Sequence, residues 1–199
     1  MIKDAYRFII PILLCATASA WLGVRVAAVA FVVLAAFVAY FFRNPSRQIP
    51  GGENLIVSPA DGKIIAIRSL PEGQSISIFL NIFNVHVTRV PITGELEELE
   101  YKRGKFKVAY DDEASRVNEQ NILTIRGACG PVIVKQIAGM IARRVICWKR
   151  PGNKLKRGEL FGLIRFGSRV DVVLPEQVAI LVKVGDRVRG GSSVIGEIL

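Results

Sequence analysis

Hydrophobic positions divide the chain into two parts with different patterns. Near the N-terminus, residues 8–24 and 26–42 are two uncharged runs of 17 residues each, separated by Arg25. A helix of that length measures about 26 Å, close to the roughly 30 Å of a bilayer's hydrocarbon core. One continuous helix would place Arg25 near the middle of the bilayer, which is costly. We therefore predict two short membrane helices that turn near Gly23 and form an anchor over residues 1–43.

A cleaved secretory signal is the alternative for the first run, because Lys3 and Arg7 precede it and Ala18–Ala20 resembles a cleavage site. The second apolar run follows at once, which favours an anchor. Lys3 and Arg7 before the runs, and Arg43 and Arg47 after them, give both flanks the positive charge typical of cytoplasmic segments. The expected location is the cell membrane, with the remainder of the chain on the cytoplasmic side.

Beyond a linker at residues 44–54, the pattern changes to short runs rich in Val and Ile, bounded by Gly, Pro or Asp, as is typical of strands. The segment Asp111–Asn121 predicts a polar loop or a helical turn, and residues 94–101 predict an exposed edge strand rather than an acidic helix. We expect a mainly β domain over residues 55–199, a compact sandwich or barrel-like fold. The predicted strands lie within residues 55–67, 75–83, 85–92, 94–101, 122–127, 131–139, 143–148, 160–167, 169–175 and 178–185.

The net positive charge of the chain limits its expected binding partners to anionic ones, such as lipid or nucleic acid. The net charge is +10, and beyond Arg43 there are 23 Lys and Arg residues against 16 Asp and Glu. A basic domain tethered to a membrane is expected to face anionic lipid. The sequence lacks the helix-turn-helix, zinc-finger and aromatic-basic patterns of nucleic-acid binders, so we predict no nucleic-acid partner. Cys15, Cys129 and Cys147 have neither metal-ligand nor redox spacing, so we predict no metal site and no need for an oxidising compartment.

Candidate chemistry rests on few residues. The chain has one histidine, His86, and Asp61 lies in the segment SPADGKI. Near the C-terminus, the tetrapeptide GGSS at residues 190–193 interrupts an apolar run. Each feature has an ordinary structural explanation: a packed histidine, a turn with an aspartate cap, and a β-hairpin turn whose glycines accept positive φ.

Taken together, these segments resemble the short form of the phosphatidylserine decarboxylase family. The resemblance covers nearly the whole chain, through FFRNPSR, SPADGKI, FNVHVTRVP, GKFKVAYDDEASRVNEQN, KQIAGMIARRV, GELFGLIRFGSRVDVVLP and GGSS in that order. It implies an enzyme of phospholipid biosynthesis that decarboxylates phosphatidylserine to phosphatidylethanolamine. The reaction would proceed through a Schiff base to a pyruvoyl group that the chain makes from Ser192.

The resemblance also implies self-cleavage between Gly191 and Ser192. The Ser192 Oγ attacks the Gly191 carbonyl carbon, and the peptide bond becomes an ester. Elimination across the serine Cα–Cβ bond releases the upstream chain, and the remaining dehydroalanine hydrolyses to pyruvoyl and ammonia. The products are a large chain, residues 1–191, and a small chain, residues 192–199, which we expect to stay together by strand pairing. A higher homo-oligomer is compatible with this heterodimer.

By the same resemblance, His86 donates a proton to the decarboxylated carbanion and Asp61 supports self-cleavage. Longer family members have a second histidine linked to cleavage where this chain has Arg89. Arginine cannot act as a base at ordinary pH, so either His86 serves both steps or Asp61 and a water generate the Ser192 alkoxide. Arg89 is then a candidate ligand for the substrate carboxylate or phosphate.

Three other functions remain open on sequence grounds. A non-catalytic, membrane-anchored lipoyl-like adaptor would use the same terminal hairpin pattern, although the tip has no lysine for a carrier group. A serine hydrolase would use Ser192, His86 and Asp61 without cutting the chain. A decarboxylase of an ether-lipid serine analogue would meet the same head group.

Overall fold

A computed structural model of the chain describes residues 2–105, 114–139, 144–165 and 168–199. The chain separates into two compact units, Met1–Ser46 and Arg47–Leu199. Of the segment expected to form a loop or turn, residues 111–113 lie outside the described residues, and the single helical turn α3 (Ala114–Val117) follows them.

The N-terminal unit consists of two apolar helices, α1 (Tyr6–Trp21) and α2 (Arg25–Phe41), with a 3-10 turn at Lys3–Ala5 before them. They are separated by a turn in which Gly23 takes a φ of 76°, a conformation that glycine adopts without steric cost. Both helices lie within a few residues of the predicted ranges. Within the described part of the chain, no helix has the combined length and apolar character needed to cross a membrane. The expected pair of membrane-crossing helices is therefore not supported.

The second unit is built almost entirely of strands. Apart from α3, its described elements are β1 (Leu55–Val57), β2 (Gly62–Leu70), β3 (Gly73–Leu80), β4 (Val87–Arg89), β5 (Gly94–Lys102), β6 (Gln120–Gly127), β7 (Gly130–Ile137), β8 (Val145–Cys147), β9 (Lys154–Leu155), β10 (Leu160–Ile164), β11 (Ser168–Leu174), β12 (Val178–Ile180), β13 (Arg187–Val188) and β14 (Val194–Ile198). The predicted mainly β class is confirmed.

These strands form three antiparallel sheets. The largest has eight strands in the order β13-β2-β3-β11-β7-β6-β5-β9, and the two smaller sheets have the orders β1-β14-β12 and β4-β10-β8. Alternating aliphatic residues of the large sheet, such as Ile76, Ile78 and Leu80, are fully buried in one hydrophobic core. Ile56 and Ile195 of the β1-β14-β12 sheet belong to the same core, so this sheet packs on the large one.

The acidic segment GELEELE forms strand β5, as predicted, and not a helix. Leu96 is fully buried and Leu99 packs against the core, whereas the glutamates between them point outward. Strand β5 pairs with β6 along its length, and β9 pairs only with Gly94 and Glu95 at its start. Most of β5 is therefore the edge strand that the sequence predicted.

The tetrapeptide at residues 190–193 is not a hairpin turn, and that prediction was wrong. The strand before it, β13, pairs with Gly62 and Lys63 of β2 in the eight-stranded sheet. The strand after it, β14, pairs with β1 and β12 in another sheet. The chain passes from one sheet to another at the tetrapeptide, because each flanking strand finds a partner far away in sequence instead of its neighbour.

Candidate active site

A cleft of about 960 Å³ lies where the start of β2, the end of β3 and the 190–193 turn meet. Asp61 and Ser192, two of the residues singled out from the sequence, both line this cleft. They reach it from opposite ends of the domain sequence, since Asp61 precedes β2 and Ser192 precedes β14. The cleft also has Asn84 in its wall and three cations, Lys63, Arg187 and Arg189.

The 190–193 turn is held by backbone hydrogen bonds to Ser58, in the segment before Asp61. The Gly191 N–H donates to the Ser58 carbonyl at 2.8 Å, and the Ser58 N–H donates to the Ser193 carbonyl at 2.8 Å. These two bonds extend the β1–β14 pairing, which ends at Val57 and Val194, into the turn. The backbone around the Gly191–Ser192 peptide bond is therefore fixed by a neighbouring chain segment.

Gly191 is needed at its position for two reasons. Its φ of 79° lies in the left-handed region that side chains other than glycine rarely adopt. A Cβ added there would also lie 2.8 Å from the Arg89 Cδ atom. A Cβ at Gly190 would meet the Ala60 backbone at 3.3 Å, so a side chain there is also crowded.

The two serines of the turn differ in whether a hydrogen bond restrains the side-chain hydroxyl. The Ser193 Oγ accepts a hydrogen bond from the Arg189 N–H at 2.9 Å, which restrains it. Ser192 is half-buried, lines the cleft and, within the described part of the chain, makes no side-chain hydrogen bond. The Ser192 hydroxyl is therefore the one that can rotate toward the adjacent Gly191 carbonyl.

Asp61 is bound to the turn and to a cation that the sequence did not single out as functional. Its Oδ1 accepts a hydrogen bond from the Gly190 N–H at 2.8 Å. Arg47 donates to Oδ1 at 2.9 Å and to Oδ2 at 2.8 Å, and the side chains of the two residues are only 10% and 14% exposed. Because this charge-assisted pair is largely shielded from water, it fixes the orientation of the Asp61 carboxylate.

Arg47 was interpreted from the sequence only as a cytoplasmic flanking charge. Its pairing with Asp61 joins the linker to the cleft across fourteen sequence positions. The available signal was its place in FFRNPSR, one of the segments that carry the family resemblance, and a charge count alone did not distinguish it from Arg43.

Arg89 lies against the turn, and its Nε is 3.6 Å from where a Gly191 Cβ would be. Its guanidinium donates to the Gly158 carbonyl at 2.9 Å. Burial lowers the pKa of Arg89, the nearby Arg47 lowers it further, and Asp61 opposes the shift by raising it. The three charged groups therefore form one electrostatic cluster beside the Gly190–Gly191 backbone.

His86 is fully buried between β3 and β4. Its Nδ1 lies 3.0 Å from the Asn84 carbonyl oxygen, which can only accept, so Nδ1 holds the proton of a neutral ring and Nε2 is the basic nitrogen. Asn84 is a wall residue of the cleft, whereas His86 is not among the described residues that line it. The structure thus places His86 directly behind the wall that Asp61 and Ser192 face.

Comparison with known proteins gives consistent matches. A family model described as phosphatidylserine decarboxylase matches residues 34–196. A protein of Solibacter usitatus named phosphatidylserine decarboxylase proenzyme is 50% identical over 186 residues, covering 92% of this chain and 90% of that protein. Proteins with the same name from Syntrophus aciditrophicus and Geobacter metallireducens are 49% and 43% identical over 80% and 97% of this chain, and the matches cover 79% and 94% of those proteins.

Proposed function

Because the chain belongs to the phosphatidylserine decarboxylase family, we propose that it converts phosphatidylserine to phosphatidylethanolamine after cutting itself between Gly191 and Ser192. The observation that supports this most directly is the 190–193 turn. It presents one unrestrained hydroxyl, that of Ser192, beside a glycine carbonyl in the wall of a cleft.

In the cleavage step, Ser192 is the nucleophile and Asp61 orients the turn. The Asp61 carboxylate accepts the Gly190 N–H and is itself fixed by Arg47. Its oxygens are thus already engaged, which favours a positioning role over proton removal from Ser192. Arg89 lies beside Gly191, with its Nε 3.6 Å from where a Gly191 Cβ would be, and would stabilise the negative charge that develops on the Gly191 carbonyl oxygen. The expected role of Arg89 in substrate binding stays a prediction.

The turn fits a pyruvoyl group at position 192, because Ser192 faces the cleft and the strand after it, β14, is held on both sides by β1 and β12. When present, such a group supplies a ketone that takes up the substrate amine and withdraws electrons as carbon dioxide leaves. His86 would take up a further proton at Nε2, its basic nitrogen, and give it to the carbon that has lost carbon dioxide, while the Asn84 carbonyl fixes the ring by its bond to Nδ1. The large chain, residues 1–191, and the small chain, residues 192–199, would remain a heterodimer.

Arg47→Gln tests the proposed orientation of Asp61. The substitution removes both bonds from Arg47 to the carboxylate. Hydrogen bonds to charged groups contribute about 1.5–3 kcal/mol, so we expect self-cleavage to slow by roughly 10–100-fold. Arg47→Lys keeps the charge without the planar fork and should be intermediate.

The rate is measured by intact mass at intervals after synthesis, with thermal unfolding recorded in parallel. Arg43→Gln is the matched control, because Arg43 is a nearby cation that lies over the Tyr40 ring and donates to the Tyr40 carbonyl at 2.8 Å. Wild-type cleavage in a folded Arg47→Gln chain would show that the pair is not needed.

The proposed location is the cell membrane, with the second unit on the cytoplasmic side. Helices α1 and α2 have many exposed apolar side chains, including Trp21 at 87% and Val26 at 83% exposure. A lipid surface would remove such side chains from water. Lys3, Arg7 and Arg43 provide the positive flanks expected on the cytoplasmic side.

One experiment tests maturation, activity and location together. Cells that express the full chain are fractionated, and an Asn54→Cys variant is labelled with a membrane-impermeant thiol reagent. We expect the protein in the membrane fraction, protected from external label, as two chains of residues 1–191 and 192–199. The small chain should have a blocked pyruvoyl start, and the preparation should release carbon dioxide from phosphatidylserine. A single uncut chain would favour the adaptor or hydrolase, and preference for an ether-lipid serine substrate would identify the third alternative.

A further inference from the structure

The loop between β3 and β4 places two exposed apolar side chains at the edge of the cleft. Ile82 is 36% exposed and Phe83 is 62% exposed. We propose that the tip Asn81–Asn84, together with Lys63, Arg187 and Arg189, docks the mouth of the cleft onto an anionic phospholipid bilayer. This inference rests on the proposed function, because the bilayer would be the source of the substrate.

The tip has a defined shape. The Asn81 N–H donates to the Asn84 Oδ1 at 2.9 Å, the Phe83 N–H donates to the Asn81 Oδ1 at 2.9 Å, and the Asn84 N–H donates to the Asn81 carbonyl at 3.0 Å. These bonds satisfy three of the loop's backbone N–H groups internally, which lowers the desolvation cost of bringing those groups close to hydrocarbon. The tip therefore presents Ile82 and Phe83 on a rigid support.

The cations beside the tip complement an anionic surface. Lys63 and Arg187 are directly opposite each other in the β2–β13 pair, and both are exposed. Like charges opposite each other on neighbouring strands destabilise a sheet unless an anion lies nearby. With Arg189, they form a basic group in the same cleft as Ser192.

The geometry of the substrate explains why a bilayer is the partner, rather than a second copy of the chain. The amine of the proposed substrate has to reach position 192, while its two acyl chains remain in the membrane. The head group must then enter past residues that are both in the cleft wall and exposed, and Phe83 and Arg187 meet both conditions. The second unit has a surplus of positive charge, which attracts anionic lipid and repels another copy.

A fluorescent label tests contact with the bilayer independently of activity. The full chain with Phe83→Cys, Cys15→Ser and Cys147→Ser is labelled with an environment-sensitive dye. The remaining thiol, Cys129, is buried, and burial raises its pKa, so it reacts slowly. We expect a blue shift of the emission on phosphatidylglycerol vesicles and a smaller one on phosphatidylcholine vesicles. The control label replaces Tyr101, which is 52% exposed and outside the cleft lining, and should not shift.

Substitution of the cations tests the electrostatic part. Each cation near an anionic surface raises binding on the order of fivefold. Lys63→Gln with Arg187→Gln should therefore raise the phosphatidylglycerol concentration needed for the half-maximal shift by roughly twentyfold. Lys154→Gln, an exposed cation on β9, is the control and should leave that concentration unchanged.

The kinetic test compares decarboxylation of phosphatidylserine in vesicles with that of a short-chain, monomeric phosphatidylserine. Ile82→Ser with Phe83→Ser should lower the ratio of the two rates at least about tenfold, because apolar contact with the bilayer is lost. Tyr101→Ser with Trp148→Ser should keep the wild-type ratio.

Each outcome decides between explanations. An unshifted label at position 83 on phosphatidylglycerol vesicles, or an unchanged rate ratio, overturns the docking proposal even if the wild-type enzyme is active. A shift without vesicles that grows with protein concentration identifies a second copy as the occupant and also overturns it. Failure of the proposed function would appear separately, as an uncut wild-type chain without decarboxylation, whereas the label result would still stand.

Discussion

Ser192→Ala is expected to leave all 199 residues in one uncut chain without detectable decarboxylation. The substitution removes the only atom proposed to attack the Gly191 carbonyl, and the pyruvoyl group then cannot form. Folding should be little affected, because Ser192 makes no side-chain hydrogen bond to the described residues and its backbone N–H still donates to the Arg189 carbonyl at 3.1 Å. Intact mass spectrometry distinguishes the uncut chain from the two products.

Ser193→Ala is the matched control for this experiment. It removes a hydroxyl one position away, whose Oγ accepts from the Arg189 N–H. Self-cleavage should continue, at a rate lowered by no more than the loss of one turn hydrogen bond, about 0.5–1.5 kcal/mol. If the Ser192→Ala chain is still cut between positions 191 and 192, or if only the Ser193→Ala chain stays uncut, the nucleophile has been assigned to the wrong serine.

His86→Ala is expected to mature and then to turn over about 10²–10⁴-fold more slowly. Maturation should continue because Asp61 binds the turn, Arg47 holds Asp61 and Arg89 lies against Gly191, whereas His86 lies behind Asn84. Carbon dioxide release is measured per pyruvoyl group, so that incomplete maturation does not mimic slow chemistry.

Removal of the fully buried His86 side chain also disturbs packing. The effect of that disturbance on turnover must therefore be separated from the effect of losing proton transfer. Thr88→Val is the control, since Thr88 is equally buried and its Oγ1 accepts from the Gln136 Nε2 at 2.8 Å. It should lose stability but retain turnover per pyruvoyl group. Partial rescue of His86→Ala by added imidazole would support proton transfer. Full turnover without rescue would make His86 a packing residue.

Strands with a local signature could be predicted from the sequence, as β3 and β5 show. In β3, the aliphatic residues Ile76, Ile78 and Leu80 recur at every second position, and all three are buried as that period requires. In β5, Leu96 lies in the core while the glutamates face outward. The pairing of β13 could not be predicted, because a two-residue strand has no period and its partner is defined by tertiary structure. The tetrapeptide after it consequently appeared to be a hairpin turn.

The residues of the candidate site were predicted from the motifs that carry the family resemblance, and not from the local pattern of hydrophobic, polar and charged residues. Asp61 and Ser192 are far apart in sequence, and no local pattern shows that they share a cleft. The Arg47–Asp61 pair was missed for the same reason: a cation in a proline-containing linker has the same local appearance whether it faces lipid or a buried carboxylate. Exposure of Ile82 and Phe83 could not be predicted either, since the pattern had placed both at the end of a strand.

The positive charge of the cluster around Gly191 favours the formation of a new carboxylate at this position by the proposed cleavage. Before cleavage, two guanidinium groups, Arg47 and Arg89, lie near a single carboxylate, Asp61. Burial lowers the pKa of Arg89, and repulsion from Arg47 lowers it further. The proposed elimination leaves Gly191 with a terminal carboxylate, while the nitrogen of Ser192 departs as ammonia. The new anion therefore forms beside Arg89 without an accompanying ammonium group on the chain. If the proposal is correct, the mature form has the balanced charge within this cluster of Arg47, Arg89 and Asp61, and Arg89 would then hold the new chain end in place.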